Sequence, residues 1–447
     1  MAFSDLHFIF LFLPVFLLVY YFSPASWWNA VVFIGSLVFY GIGVQGHWWM
    51  LGLLAGEVVF TYFAGLMIGR TKDKAVAAFC QVLLFALLFF FKYDSLAGLS
   101  IAFPLALSFY TFQMSAYLTD VARGTIPAVT NFFDYGAGVL LFVRLISGPI
   151  TPWKDIHRDL ERRRINWNCL VEGLRDFIIG LSLKLLLADS LSGIWAYVEN
   201  TGITDISTPM AWLGIVGFSL NLYFDFWGYS RMAIGLGRML GFEIPVNFRY
   251  PYISKTMTEF WRRWHITLGA WFRNYIYIPL GGSRVGAVRL IFNLFVVWLF
   301  TGLWHGSTLN FLVWGLFLFV VIVLEKFIWG KLLERTYVLG HLYMILLIPL
   351  SWMIFAIPDV PTIVTFVGRL FGQSKGIVPY TTDFLAQLDK FKMFLGLGVL
   401  FSTPLPNKLY EKFRQTPVAD LVLFALFWLC IYRMSLGLAD PFAYFSF

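Results

Sequence analysis

The stretch LFVVWLFTGLWHGSTLNFLVWGLFLFVVIVL, residues Leu294–Leu324, decides the fold, because two long apolar runs flank one ionisable side chain, His305. No Asp, Glu, Lys or Arg occurs in it. About 20 apolar residues are enough for a helix to cross the hydrocarbon core of a bilayer. Backbone groups in lipid must be hydrogen-bonded within the segment, so each run is predicted to be a membrane helix.

The composition extends this prediction to the whole chain. Of the 447 residues, 59% are hydrophobic and 13% are charged, against about 45–50% and about 25% in soluble domains. We therefore predict an all-α, polytopic membrane protein with about ten to thirteen spanning or re-entrant helices plus interfacial amphipathic helices. The candidate segments are 6–22, 28–43, 48–69, 75–91, 101–118, 133–150, 168–188, 209–226, 287–303, 308–328, 340–357, 391–403 and 417–437.

Three parts of the chain are predicted to be short or broken. Pro104 interrupts 101–118, the segment 391–403 is only thirteen residues long, and 226–241 is rich in glycine with two arginines. Irregular backbone at membrane depth is tolerated where it lines a cavity, so these are expected to be re-entrant. We predict one domain over 1–447, with N-terminal helices in 1–190, a motif-bearing core in 209–330 and C-terminal helices in 331–447.

The excess positive charge is concentrated in one segment. The net charge is +8, and residues 231–289 hold nine basic and two acidic residues, which account for seven of those charges. Basic loops favour the cytoplasmic side and anionic lipid head groups. We therefore expect membrane lipid and no nucleic acid as a partner. The three cysteines (Cys80, Cys169 and Cys430) are scattered singly and are interpreted as packing residues.

Within the basic segment, residues 256–275 read TMTEFWRRWHITLGAWFRNY and have the pattern of an amphipathic helix. One face would carry Phe260, Trp264, Leu268, Trp271 and Tyr275, and the other Glu259, Arg262, Arg263 and Arg273. Tryptophan opposite arginine is typical of an interfacial helix. His265 would lie at the border of the two faces, near Trp261, either as a structural polar contact or as a group facing a cavity.

His305 gives the sharper functional hypothesis. An ionisable side chain at membrane depth is costly and indicates a functional site, although a hydrogen bond between helices would also explain it. Gly302 and Gly306 leave room for close approach, and Ser307 and Asn310 add polar groups. A buried neutral histidine is suited to general base catalysis. The sequence contains no HExxH, GxSxG or phosphate-binding loop, and no metal site is predicted.

Several motifs together resemble the membrane-bound O-acyltransferase family, in its bacterial branch that serves alginate O-acetylation. They are NFRYPYISKTMTEFWRRWHITLGAWFRNYIYIPLGGSR (Asn247–Arg284), TGLWHG (Thr301–Gly306), RLISGPITPW (Arg144–Trp153), SLNLYFDFWGYSRMAIGLGRMLGF (Ser219–Phe242) and the C-terminal DPFAYFSF. The resemblance implies a helical bowl with a central passage. It also implies His305 and His265 as the catalytic pair. Leu318 stands where many members carry another histidine, so no third histidine is carried over.

The resemblance further implies an acetyl group that crosses the membrane from a cytoplasmic thioester to hydroxyls of an extracytoplasmic polysaccharide, through a separate partner protein. No cofactor would be bound, and acetyl-CoA or an acyl carrier thioester would be the co-substrate. Clustered cations attract polyanions, so Arg249, Lys255, Arg263 and Arg284 are candidates for the donor site. Candidates for the passage lining are Trp304, Ser307, Asn310 and Trp261. The location implied is the bacterial inner membrane, multi-pass.

Two alternatives remain open at this point. The protein could transfer D-alanyl or another acyl group from an acyl carrier protein to a cell-wall polymer. It could also be a transporter that moves an acyl group or glycan without catalysis, since buried polar groups beside broken helices also describe transport sites.

Overall fold

The computed structural model describes residues 1–146, 148–373 and 382–437, and within these ranges it contains helices and connecting segments but no strand. The all-α prediction is confirmed. The motif DPFAYFSF lies outside the described residues.

Eight helices in the described ranges are long and apolar enough to span a membrane. They are Ala25–Gly43 (α2), Trp49–Thr71 (α3), Lys74–Lys92 (α4), Trp167–Thr201 (α9), Ala287–His305 (α13), Leu309–Arg335 (α14), Tyr337–Ala356 (α15) and Pro417–Ser435 (α19). The chain is therefore a multi-pass membrane protein. The apolar helix Phe8–Phe22 (α1) is shorter.

The other helices are shorter or more polar. They are Leu107–Ala122 (α5), Phe132–Leu140 (α6), Phe142–Leu145 (α7), Trp153–Arg162 (α8), Thr208–Met239 (α10), Met257–Arg263 (α11), Ile266–Phe272 (α12), Val360–Leu370 (α16), Thr382–Phe401 (α17) and Leu405–Phe413 (α18). As predicted, the segment 101–118 is interrupted near Pro104, since helix α5 begins only at Leu107. The segment 133–150, predicted to be continuous, is divided between α6 and α7. Among the predicted spans, 6–22, 101–118, 133–150, 209–226 and 391–403 are not among the eight long apolar helices, and 6–22 corresponds to the shorter helix α1.

The contacts within the chain group into two compact units. The first unit contains Met1–Ile178, Tyr229–Val246 and Ala270–Tyr275, and the second contains Ile179–Gly228, Asn247–Gly269 and Ile276–Phe447. Both histidines singled out by the sequence belong to the second unit. The division into 1–190, 209–330 and 331–447 within a single domain stays a prediction.

The glycine-rich stretch 226–241 is not broken, contrary to the sequence prediction. It continues α10 as regular helix to Met239. Its glycines serve close packing instead: a Cβ on Gly235 would lie 2.5 Å from the carbonyl oxygen of Gly173, and one on Gly228 would lie 2.7 Å from that of Gly180. Small residues that let two backbones approach produce the same sequence signature as a flexible break.

Two predicted segments have the wrong limits. The segment 391–403 is the end of α17, which begins nine polar or mixed residues earlier, at Thr382. The segment 168–188 continues to Thr201 because a π-helical stretch, Leu183–Ala188, joins its two halves. Hydropathy marks only the apolar part of a helix, so a helix with a polar end is read as too short.

Lys184, in the π-helical stretch of α9, is the centre of a buried charge cluster. Nζ of Lys184 lies 2.5 Å from Oδ1 of Asp189 and 3.2 Å from Oδ1 of Asp225 on α10, and each of the three side chains is at most 3% exposed. A buried ammonium needs such partners, because an unpaired charge in a low-dielectric interior is costly.

Candidate functional site

His305 is the last residue of α13, at the tip of a tight helical hairpin. Gly306 continues in extended conformation, and α14 begins at Leu309. A Cβ on Gly302 would lie 2.6 Å from the carbonyl oxygen of Phe311, and one on Gly315 would lie 2.5 Å from that of Trp298. The glycine before the histidine therefore does permit close backbone approach, as predicted. The hairpin fixes the position of His305 through backbone packing.

The imidazole of His305 is buried, 8% exposed, and surrounded by aromatic rings. Its centroid lies 4.8 Å from Trp304, 4.9 Å from Trp314 and 5.4 Å from Phe355, each in an edge-to-face arrangement. Asn310 holds this wall in place, because its Nδ2 donates to the carbonyl oxygens of Ile354 and Phe355 at 3.2 and 2.9 Å. The ring is therefore shielded from bulk water.

His265 does not lie within a continuous amphipathic helix, and that prediction is wrong. Residues 256–275 form α11 and α12, separated by Trp264 in extended conformation and His265 in the left-handed region, with φ of 43°. Such a φ is uncommon for a residue with a side chain. The predicted apolar face still holds in part, since Phe260, Trp264, Leu268 and Trp271 are buried.

Asn247 causes the break and orients His265. The backbone N–H of Ile266 donates to the Asn247 carbonyl at 3.0 Å, and that of Thr267 donates to Asn247 Oδ1 at 3.2 Å. A backbone amide can only donate, so the atom that it contacts must be the amide oxygen of Asn247. Nδ1 of His265 lies 3.1 Å from the same oxygen. Nδ1 therefore carries the hydrogen, and in the neutral ring Nε2 carries the lone pair.

Burial keeps the His265 ring neutral. The side chain is 2% exposed and meets Phe226 edge-to-face at 4.7 Å. It lies outside the eight candidate spans, and burial lowers the pKa of His265 from 6.5 to about 3. Desolvation disfavours the charged form. At neutral pH, His265 is therefore an unprotonated ring that can accept a hydrogen bond or act as a base, and it has no extra proton to donate.

A layer of indole rings connects the surroundings of the two histidines. Trp261 contacts Trp298 at 5.1 Å and Trp314 at 5.6 Å, and Trp314 also contacts His305. Trp264, adjacent to His265, packs on Trp352 at 4.8 Å, which in turn meets Phe355. The structure thus brings the RWH and WHG motifs to one aromatic layer within one unit.

The remaining predicted site residues differ in exposure. Trp304 and Asn310 are buried, Trp261 is half-buried and Ser307 is exposed; their role as a passage lining stays a prediction. Arg249 and Arg284 are exposed. Arg263 pairs with Glu259 at 2.7 Å, and Nζ of Lys255 donates to the Glu334 carbonyl at 3.2 Å. Donor binding by these four residues likewise stays a prediction.

Sequence reasoning missed two residues that position His265. One is Asn247, and the other is Glu325, a buried carboxylate of α14 that accepts the backbone N–H of Met257 at 2.5 Å and of Thr258 at 2.9 Å. Glu325 thereby binds the first turn of α11. A charge at the end of a long apolar run was the available signal for Glu325. Across residues 1–146, 148–373 and 382–437, no group of three or more His, Cys, Asp or Glu could hold a metal ion.

Comparison with known proteins agrees with the motifs. The profile of the membrane-bound O-acyltransferase family matches residues 68–349. A probable alginate O-acetylase, AlgI, of Azotobacter vinelandii is 38% identical over 381 residues, covering 79% of this chain and 75% of the relative. A peptidoglycan O-acetyltransferase of Helicobacter pylori is 34% identical over 361 residues, covering 69% and 67%. A teichoic acid D-alanyltransferase of Bacillus subtilis is 25% identical over 241 residues, covering 51% and 60%.

Proposed function

The chain belongs to the membrane-bound O-acyltransferase family, and we propose that it transfers acetyl groups from a thioester donor to hydroxyls of an extracytoplasmic polysaccharide. The observation that carries this proposal is a pair of buried histidines, His305 and His265, held by separate motifs against one aromatic layer. Similarity to an alginate O-acetylase over 79% of the chain favours an acidic, alginate-like glycan.

The reaction needs one base, and overall it neither consumes nor releases a proton. The hydroxyl oxygen of the acceptor attacks the thioester carbonyl, the C–O bond forms and the C–S bond breaks. The hydroxyl proton passes to the base and then to the departing thiolate, which leaves as the free thiol. A positioned histidine typically accelerates such a step about 10²–10⁴-fold.

We assign the base to His305 and an orienting role to His265. The aromatic surroundings of His305 exclude water, which would otherwise compete with the acceptor for the thioester. His265 is neutral with its hydrogen on Nδ1, so Nε2 can accept a hydrogen bond. The two rings lie on separate short segments, so His265 can orient the substrate by accepting a hydrogen bond from a neighbouring N–H or O–H group while His305 takes the proton of the attacking hydroxyl.

The donor and its entry side are part of the same proposal. Coenzyme A carries several phosphate charges, and the exposed guanidinium groups of Arg249 and Arg284 lie in the segment that carries most of the net positive charge. This segment would face the cytoplasm of a bacterium, in the inner membrane. Acetyl-CoA fits as co-substrate, and a separate extracytoplasmic protein would complete transfer to the glycan.

The test compares His305→Ala with His157→Ala, whose target is a surface histidine paired with Glu161 at 3.2 Å. Envelope polysaccharide from cells that carry each variant is analysed by mass spectrometry for acetyl groups. We expect acetylation to disappear in His305→Ala and to persist in His157→Ala, with equal amounts of both variants in the membrane. Normal acetylation in His305→Ala would contradict the assignment.

Transfer of D-alanine is the second candidate, because a D-alanyltransferase is among the relatives, at 25% identity over about half of the chain. An acidic carrier protein would also suit the basic segment. Purified protein that consumes acetyl-CoA supports acetyl transfer, whereas consumption only of a D-alanyl carrier thioester supports the alternative. A transporter would consume neither.

A further inference from the structure

Arg144, in the first of the two compact units, is an enclosed guanidinium in a motif that the proposed chemistry does not use. It lies in α7 and is 1% exposed. Nη1 donates to the carbonyl of Thr151 at 3.0 Å, and Nη2 donates to the carbonyl of Gly138 at the end of α6. Both partners are neutral, so these bonds orient the group without balancing its charge.

The charge of Arg144 has no counter-ion among the described residues. No carboxylate in residues 1–146, 148–373 and 382–437 forms an ion pair with it, and its Nε is buried without a hydrogen-bond partner in those ranges. A buried cation without a partner is among the most costly features in a protein interior. A bound anion would offset this cost, because arginine forms strong hydrogen-bonded ion pairs with carboxylate and phosphate groups.

A second unused donor belongs to a residue that contacts the same glycine, Gly138. The indole N–H of Trp153 is buried and has no hydrogen-bond partner in the described part of the chain. The Trp153 ring packs on Gly138, where a Cβ would come within 2.2 Å of it, and Gly138 is also the residue whose carbonyl Arg144 binds. Rings of Tyr117 and Tyr135 flank the indole at 5.3 and 6.0 Å.

Gly148, which stands between the two donors in the sequence, packs tightly onto α7. A Cβ on Gly148 would lie 2.3 Å from the carbonyl of Val143 and 2.5 Å from Cα of Arg144. The backbone of Arg144 is thereby fixed, and the hydrogen bonds to the carbonyls of Gly138 and Thr151 hold the guanidinium between the end of α6 and the residues just before α8. The donors are therefore fixed before any ligand arrives, which lowers the entropy that binding must overcome.

We propose that Arg144 and Trp153 form a binding site for a small oxyanion, either a carboxylate or a phosphate group. Guanidinium N–H groups bind both in a planar, fork-like arrangement, and an indole N–H adds a neutral donor. The site belongs to the unit that contains Met1–Ile178, whereas both histidines belong to the other unit. It therefore does not depend on the proposed acyl transfer, and binding is measured without turnover.

The experiment titrates purified protein in detergent with sodium phosphate or sodium acetate and follows the thermal unfolding midpoint. Ionic strength is kept constant with sodium chloride, so that general salt effects are equal in all samples. Arg144→Lys keeps the charge and removes the fork, whereas Trp153→Phe keeps an aromatic ring and removes the N–H together with the five-membered ring that carries it. Arg158→Met removes an exposed arginine of α8 and serves as the matched control.

We expect a saturable rise of the midpoint in the wild type and in Arg158→Met. The half-saturating concentration should increase about tenfold in Arg144→Lys and in Trp153→Phe, since each loses a charge-assisted or buried hydrogen bond. A response to phosphate alone identifies a phosphate-bearing ligand, and one to acetate alone identifies a carboxylate. The absence of saturation with both anions, or equal half-saturation in wild type and Trp153→Phe, overturns the proposal even if Arg144→Lys fails to fold.

Discussion

Asn247 determines which nitrogen of His265 carries the hydrogen: its Oδ1 lies 3.1 Å from Nδ1 of the imidazole and accepts the Thr267 backbone N–H at 3.2 Å. The same side chain thus starts α12 and fixes the histidine tautomer. Loss of this oxygen should affect chemistry as well as local structure.

Substitution of Asn247 separates these two effects. Asn247→Leu removes the acceptor, and we expect acetyl transfer to fall about a hundredfold or more, since a misplaced histidine loses most of its contribution. Asn247→Asp keeps an acceptor oxygen and should retain transfer. Its negative charge raises the pKa of His265, so the acid limb of the pH profile of kcat should move to higher pH. The control is Thr267→Val, which keeps the backbone bond; an unshifted acid limb in Asn247→Asp would contradict the role of Asn247.

Stability should depend on pH through His265. The unfolded chain binds a proton below pH 6.5, whereas the folded chain binds it only near pH 3, so the unfolded state is favoured as the pH falls. Between pH 6.5 and 5 we expect a loss of about 2 kcal/mol in the free energy of unfolding. His265→Asn, which tolerates a positive φ and does not titrate, should lack this loss. Equal slopes of thermal unfolding midpoint against pH in both proteins would contradict the pKa shift.

The hairpin that presents His305 should not tolerate an added methyl group. Gly302→Ala places Cβ 2.6 Å from the Phe311 carbonyl, and overpacking of this kind costs about 1–3 kcal/mol. Gly396→Ala is the matched control, because nothing lies within 4 Å of its Cβ. Since alanine favours a helix more than glycine does, this substitution should leave the free energy of unfolding unchanged or raise it by up to about 1 kcal/mol. The measurement is the unfolding midpoint together with acetyl transfer; similar results for both variants would argue against close packing at the hairpin.

Glu325 should be required to hold α11. Glu325→Ala removes the acceptor of the Met257 and Thr258 N–H groups and of the Thr258 hydroxyl, at 2.5, 2.9 and 2.8 Å. We expect a loss of about 3 kcal/mol in unfolding free energy. Glu325→Gln keeps one acceptor oxygen and should lose about half as much. Glu334→Ala, at an exposed position of the same helix, should change stability by less than about 0.5 kcal/mol; a comparable loss there would remove the special role of Glu325.

Hydropathy and helical periodicity predicted the class of fold because they depend on local sequence. Nine of the predicted segments correspond to apolar helices, and the buried face of 256–275 was correct for Phe260, Trp264, Leu268 and Trp271. The break at His265 was not predictable from periodicity. It depends on an Asn247 side chain eighteen residues earlier, and such a long-range cap leaves no trace in a local pattern.

The candidate histidines could be found from sequence, whereas the hydrogen bonds that position them could not. His305 was evident because a polar residue in apolar text is costly. Asn247 and Glu325 accept hydrogen bonds from backbone N–H groups, and since every residue except proline has such a group, no sequence pattern marks the donors. The glycines of 226–241 were misread for a related reason, since packing against Gly173 and Gly180 is visible only when the helices are placed together.

The Lys184–Asp189 pair has a consequence for biosynthesis. The two residues are five positions apart on one helix, and the π-helical stretch brings them to 2.5 Å from each other. On an insertion scale, an isolated lysine or aspartate at the centre of a membrane helix costs about 2.5–3.5 kcal/mol. Since both partners lie on the same helix, they can neutralise one another before the ribosome has made Asp225. The helix can therefore enter the membrane ahead of the neighbour that completes its charge cluster.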